Sequence, residues 1–199
     1  MVNPRCVLVL TVALLCFAWT GTEDAVAAES ELPSVHIHPE LGVQTFPPHT
    51  ASRLQLTSRI RFHDHWFGDL VVMTGGVHQQ FSSPSMQDHG YGAVALGPGL
   101  SSGETPDGWE FRASPRFTHV HHTTYENWRN NFWANMVADS DGDVRHRSGA
   151  ELALGVTGPR FGELWDRQFV INTDAVVSWL PTSDIMTWGA GLMVGMTLR

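Results

Sequence analysis

Apolar residues in this chain recur at every second position and not at every third or fourth, a period that restricts the fold to extended strands. Val35, Ile37, Leu41 and Val43 alternate with His36, His38, Glu40 and Gln44. After a turn at Pro47-Pro48, Leu54, Leu56, Ile60 and Phe62 alternate with Arg53, Gln55, Thr57, Arg59, Arg61 and His63. A turn over residues 63–69 leads into a weaker alternation at 70–80, then a Gly-rich candidate at 91–100 in which Gly97-Pro98-Gly99 reads as a turn. Trp109, Phe111, Ala113 and Phe117 form the next apolar face. A candidate at 131–139 is poorly patterned, and three clean segments follow at 149–156, 168–179 and 187–198. Nine candidates conflict with the even strand count of a single-chain bacterial membrane barrel. Eight strands suit the length better than ten, and 91–100 or 131–139 is the segment to give up as loop.

The fold class expected is all-β, an antiparallel up-and-down transmembrane β-barrel. The clear segments run about ten to fourteen residues, whereas soluble strands average roughly five or six and a tilted bilayer crossing needs ~9–11. The apolar faces of the cleanest strands hold no charge between their rims. The opposite faces mix Arg53, Arg59, Arg61, Arg112, Arg116, Glu40, Glu110, Glu151 and Asp174 with Gly, Ser and Thr. In a narrow barrel such residues pair across the lumen, and glycines make room for the guanidinium groups. Trp66, Tyr91, Trp109, Trp128, Trp165, Trp179 and Trp188 lie near strand ends, as interfacial girdles require. In architecture the chain resembles small bacterial outer-membrane β-barrel proteins. That resemblance implies the cell outer membrane as location, its lipids and the barrel-assembly machinery as partners, and a structural or surface-binding role in the envelope. A soluble periplasmic ligand-binding barrel is the alternative fold reading.

Residues 1–28 read as a signal peptide and 29–199 as the barrel domain. Arg5 precedes an apolar run from Cys6 to Ala18, and Ala25-Val26-Ala27 or Val26-Ala27-Ala28 offers a cleavage site. Both cysteines, Cys6 and Cys16, fall in the removed segment, which excludes a thiol nucleophile or thiolate-ligated zinc from the mature chain. All 12 basic residues are arginine, so a phosphate-loop lysine and Schiff-base chemistry are excluded too. Removing Arg5, Glu23 and Asp24 from 12 Arg and 20 acids leaves a net charge near −7, unsuited to nucleic acid.

The 11 histidines are the candidate chemistry. His36, His38, His63 and His78 fall on polar faces and form a candidate metal set, with hydrogen-bonded lumen packing as the simpler account. His119, His121, His122, Thr123 and Glu126 make the densest polar group. They loosely resemble the lipid A deacylase barrels, in which a histidine and a serine two residues on act with an acid; here Thr123 takes the serine's place. That resemblance implies a lipid-modifying hydrolase as the alternative function, set against a solvated loop. If strand geometry continues, His119 and His121 share a face, and a metal site at the barrel rim becomes possible. No cofactor is expected beyond such a divalent ion. Asp139, Asp141 and Asp143 begin like a calcium loop, but Val144 replaces the required Gly and Ala150 the final Glu, leaving an Asp-Gly turn.

Overall fold

The structure is a computed structural model and describes residues 33–47, 49–79, 89–131, 144–164, 167–181, 183 and 186–198. The signal-peptide segment, Trp165 and the aspartates at 139–143 lie outside these residues, as does the candidate strand at 131–139 apart from Asn131. The elements are β1 (Ser34–Phe46), β2 (His49–His63), β3 (Trp66–Gln79), β4 (His89–Ser101), β5 (Glu110–Thr124), α1 (Tyr125–Asn130), β6 (Arg145–Thr157), β7 (Phe161–Leu164), β8 (Arg167–Trp179) and β9 (Trp188–Leu198). Every pairing is antiparallel. β6 pairs with β8 and β9 with β1, so eight strands close a ring, while the four-residue β7 only extends β8. Followed once round the ring, the register carries Ser34 through Arg61, Phe67, Gly99, Ser114, Ala153, Val176 and Gly191 to Gln44, a stagger of ten residues. Such a stagger is what tilts the strands of a closed barrel.

Side chains sort across the wall with inverted polarity. Leu41 (65% exposed), Leu192 (54%) and Trp188 (59%) point outward, with Leu54, Leu96, Phe117, Leu152 and Val177 among many others. Arg53 and Glu151, each 2% exposed, point inward with Arg59, Asp69, Arg112, Arg116 and Asp174. A water-soluble barrel carries the reverse arrangement, because apolar surface left in water loses the main driving force for folding. The outward residues form a band bounded by Trp66 and Trp109 at one end and by the stacked Trp179–Trp188 pair (5.6 Å between ring centroids) at the other. Among the described residues, no helix is long and apolar enough to cross a membrane, and the strands of the ring run 11 to 15 residues.

Several sequence expectations need correction. Residues 91–100 are not loop but the middle of β4, and Gly97-Pro98-Gly99 is strand. Pro98 lies on the stretch of β4 between the Leu96–Phe117 and Leu100–Ala113 pairs, where Pro115 stands on β5, so neither proline offers an N–H there, and the Pro98 carbonyl accepts from the Ser114 hydroxyl at 3.1 Å instead. Gly99 leaves space for Phe67, whose ring would stand 2.1 Å from any added Cβ. The turn at 63–69 shrinks to Asp64 and His65, so Asp69 is an inward strand residue. Tyr91 is not a girdle residue: it faces inward, and its hydroxyl donates to the Ser52 carbonyl at 3.1 Å. Trp128 is buried on α1, against Gly90.

Candidate functional site

Polar chemistry is concentrated in two places, one inside the barrel and one on its outer wall. Inside, one cross-strand row runs Arg59, Asp69, Gly97 from β2 to β4 and resumes as Arg116, Glu151, Ser178 from β5 to β8. Cross-strand neighbours on one face are close enough to pair, so this order sets charges of opposite sign side by side. Arg59 Nε donates to Asp69 Oδ1 at 2.9 Å, Arg116 Nη1 to Glu151 Oε1 at 3.1 Å, and the Ser178 hydroxyl to Glu151 Oε2 at 3.0 Å. Because Gly97 has no side chain between them, Arg116 Nη2 also reaches Asp69 Oδ2 at 2.6 Å. Arg53 grips Glu151 with two bonds, Nη1 to Oε2 at 2.6 Å and Nη2 to Oε1 at 3.0 Å.

The same device recurs two inward rows nearer the first end, where Gly155 lies between Arg112 and Asp174 and Arg112 Nη2 donates to Asp174 Oδ1 at 3.0 Å. Gln55 donates to Glu40, and Arg61 pairs with Glu110. Toward the other end the filling turns apolar: Phe46, Met73, Val77, Tyr91 and Val120 meet Leu180 and Met186 from the β8–β9 connection. That connection is pinned by Leu180 N–H to Thr187 O at 2.8 Å and Met186 N–H to Ser183 Oγ at 2.9 Å. A cavity of 20 Å³ between the two fillings, lined by Gln44, Arg53, Tyr91, Glu151 and Leu180 among others, has room for about one water. An all-polar lumen is thus only half of what the barrel contains.

On the outer wall, β5 continues past Phe117 to Thr124, so the histidine-rich stretch is strand and not solvated loop. Strand alternation sends His119 and His121 outward and His122 inward, where it is fully buried. Across the β5–β6 ladder His119 faces Ser148 and His121 faces His146. The His119 and His121 Nε2 atoms stand 3.0 Å apart, and His119 Nδ1 is 2.8 Å from Ser148 Oγ. The His121 and His146 rings lie 4.3 Å apart at 65°, and one ring nitrogen from each of the three histidines falls within 4.8 Å of the others. Three half-buried imidazoles on one patch are a donor set for a transition metal.

The remaining candidates are dispersed. Thr123 Oγ1 accepts from Asn127 Nδ2 at 3.1 Å, while Glu126 is exposed in the first turn of α1. His38 is buried at the first end of the barrel and accepts from Asn172 Nδ2 at 3.2 Å, with His36 stacked beside it at 6.2 Å. His63 is exposed at the end of β2 next to His65, and His78 pairs in register with Thr50 at the opposite end of the barrel. Register therefore keeps His78 away from the other three. Two participants were missed from sequence, His146 and Ser148. Extending the alternation of Ala150, Leu152 and Leu154 back by two steps puts both on the outer face, so the signal was present.

A closed eight-stranded barrel with an apolar wall and charged filling has the architecture of the small bacterial outer-membrane β-barrel proteins. Among solved structures, the chain is similar to Ail, the attachment invasion locus protein of Yersinia pestis, at 16% identity over 83% of this chain and 96% of that one, with a TM-score of 0.37. The same protein in complex with the heparin analogue sucrose octasulfate is similar at 14% identity over the same shares, with a TM-score of 0.46. No protein-family model and no curated protein matches the chain.

Proposed function

We propose that this chain is an outer-membrane protein of a Gram-negative envelope, exported through cleavage of residues 1–28, with a structural or surface-binding role and no enzymatic one. The observation that carries this reading is the inverted polarity of the wall: an apolar band bounded by tryptophans outside, and paired arginines and carboxylates within. Lipid is the solvent that favours such a wall, and a closed ring leaves no strand edge unpaired in it. The interior is filled by ion pairs at one end and by Leu180 and Met186 at the other, so exchange of solutes through the barrel is not its work. Binding then belongs to the outer surface, above all to the end bearing α1, where β5 gives way to β6. In outer-membrane barrels the longer connections face outward from the cell, and the twenty residues between β5 and β6 are the longest stretch between strands of this ring. Outer-membrane lipids and the barrel-assembly machinery are the partners this reading implies.

Fractionation tests it. The chain is expected to sediment with outer membranes, to require detergent for release, and to migrate as a compact species on gels unless boiled. A processed chain that stays monomeric in detergent-free buffer would overturn the reading.

A further inference from the structure

We propose that His119, His121 and His146 form a mononuclear site for a divalent transition metal of the zinc class, set in the outer wall of β5–β6 at the height of the aromatic girdle. Two independent placements converge. First, the ladder row through Phe117 and Ala150 continues to Trp179 and Trp188, and the three histidines stand one or two outward positions beyond that row. They sit where an apolar wall gives way to headgroups and water, which is where an aqueous ion can reach a half-buried ligand set. Second, the nitrogens are nearly in place. Two ligands of a tetrahedral zinc at ~2.0–2.1 Å stand roughly 3.3 Å apart. His119 and His121 are 3.0 Å apart at Nε2, and the whole set lies within 4.8 Å, so side-chain rotation on two rigid strands closes the remaining gap.

Ser148 supplies the orienting contact. With His119 Nδ1 donating to Ser148 Oγ at 2.8 Å, the Nε2 lone pair is the one presented to the ion. All three donors are imidazole nitrogens, a choice that selects zinc, copper or nickel over calcium or magnesium. Three ligands leave a fourth position for water or for an anionic oxygen at the membrane surface.

The test uses the full chain extracted from membranes in detergent, with its folded state checked by heat-dependent gel mobility. Zinc chloride is titrated against a chromogenic chelator. One zinc per chain is expected, with affinity at least tenfold weaker in His121→Ala and in His146→Ala and unchanged in a His36→Ala/His63→Ala control. Cobalt substituted for zinc should give the visible bands of a low-coordinate nitrogen site without thiolate charge-transfer absorption. Ser148→Ala, which leaves every ligand present, is expected to weaken binding about tenfold; it decides the matter if the histidine variants do not fold. Absence of zinc uptake by the folded wild type, or undiminished affinity in every one of His121→Ala, His146→Ala and Ser148→Ala that folds, overturns the proposal.

Discussion

Gly97 and Gly155 show how single residues permit a charged interior. Each sits between an arginine and an aspartate on flanking strands; at Gly155 the guanidinium takes the space of the missing side chain, and at Gly97 the β5 backbone does, with the Pro115 carbonyl oxygen 2.0 Å from any added Cβ. A Cβ at position 155 would stand 2.2 Å from Asp174 Oδ1 and 2.7 Å from Arg112 Nη2. Gly155→Val is therefore expected to lower unfolding stability in detergent by ~1–3 kcal/mol through overpacking alone, measured by urea titration of the heat-dependent gel shift. Glu151→Ala is expected to cost more, ~3–5 kcal/mol, because it leaves Arg53 and Arg116 buried without their shared carboxylate. A loss below 1 kcal/mol for Glu151→Ala in the same titration would mean that the pairs do not hold the interior together. The arginines and acids of this network were readable from alternation. Asp69 was not, because the Phe67-Gly68-Asp69 stretch has the composition of a turn and only pairing with Arg59 and Pro98's strand makes it β.

Among the elements, β4 and the β8–β9 connection behave least as composition suggests. Glycine and proline ordinarily weaken a strand, yet in β4 the glycines admit Phe67 and Trp128 from neighbouring elements, and the Pro98 carbonyl accepts from the Ser114 hydroxyl of β5. Their meaning depends on what stands opposite, which the period of one segment does not encode. Leu180 and Met186 belong to a connection and would pass for loop residues, but they are buried as the barrel's apolar stopper. Replacing either with alanine is expected to destabilise the barrel by ~2–5 kcal/mol, as for other buried Leu and Met side chains. The check is the urea midpoint, with gel mobility confirming that the folded form persists. A midpoint unchanged by both replacements would show that this connection lies outside the packed interior. The histidine group follows the same logic: strand period placed His119 and His121 on one face, and only the β5–β6 register delivered His146 to them.

For the whole molecule, the wall's polarity sets how substitutions depend on depth. Leu152 lies mid-strand in the apolar band, whereas Val35 is the second residue of β1, at its rim. Leu152→Arg is expected to cost ~2–4 kcal/mol in lipid vesicles and Val35→Arg ~0–1 kcal/mol, read from unfolding titrations of the refolded chain. Equal costs for the two would remove lipid as the solvent of this surface. The class of fold, the faces of most strands and the composition of the charged filling were all legible in the chain, because a period of two writes the side of the wall into each residue's position. Strand pairing, the two glycine passages, the apolar stopper and the three-histidine cluster were decided only by tertiary structure. Each depends on which residue lies across a ladder or across the lumen, and that follows from the ring's closure and ten-residue stagger, properties of all the strands together that no local stretch contains.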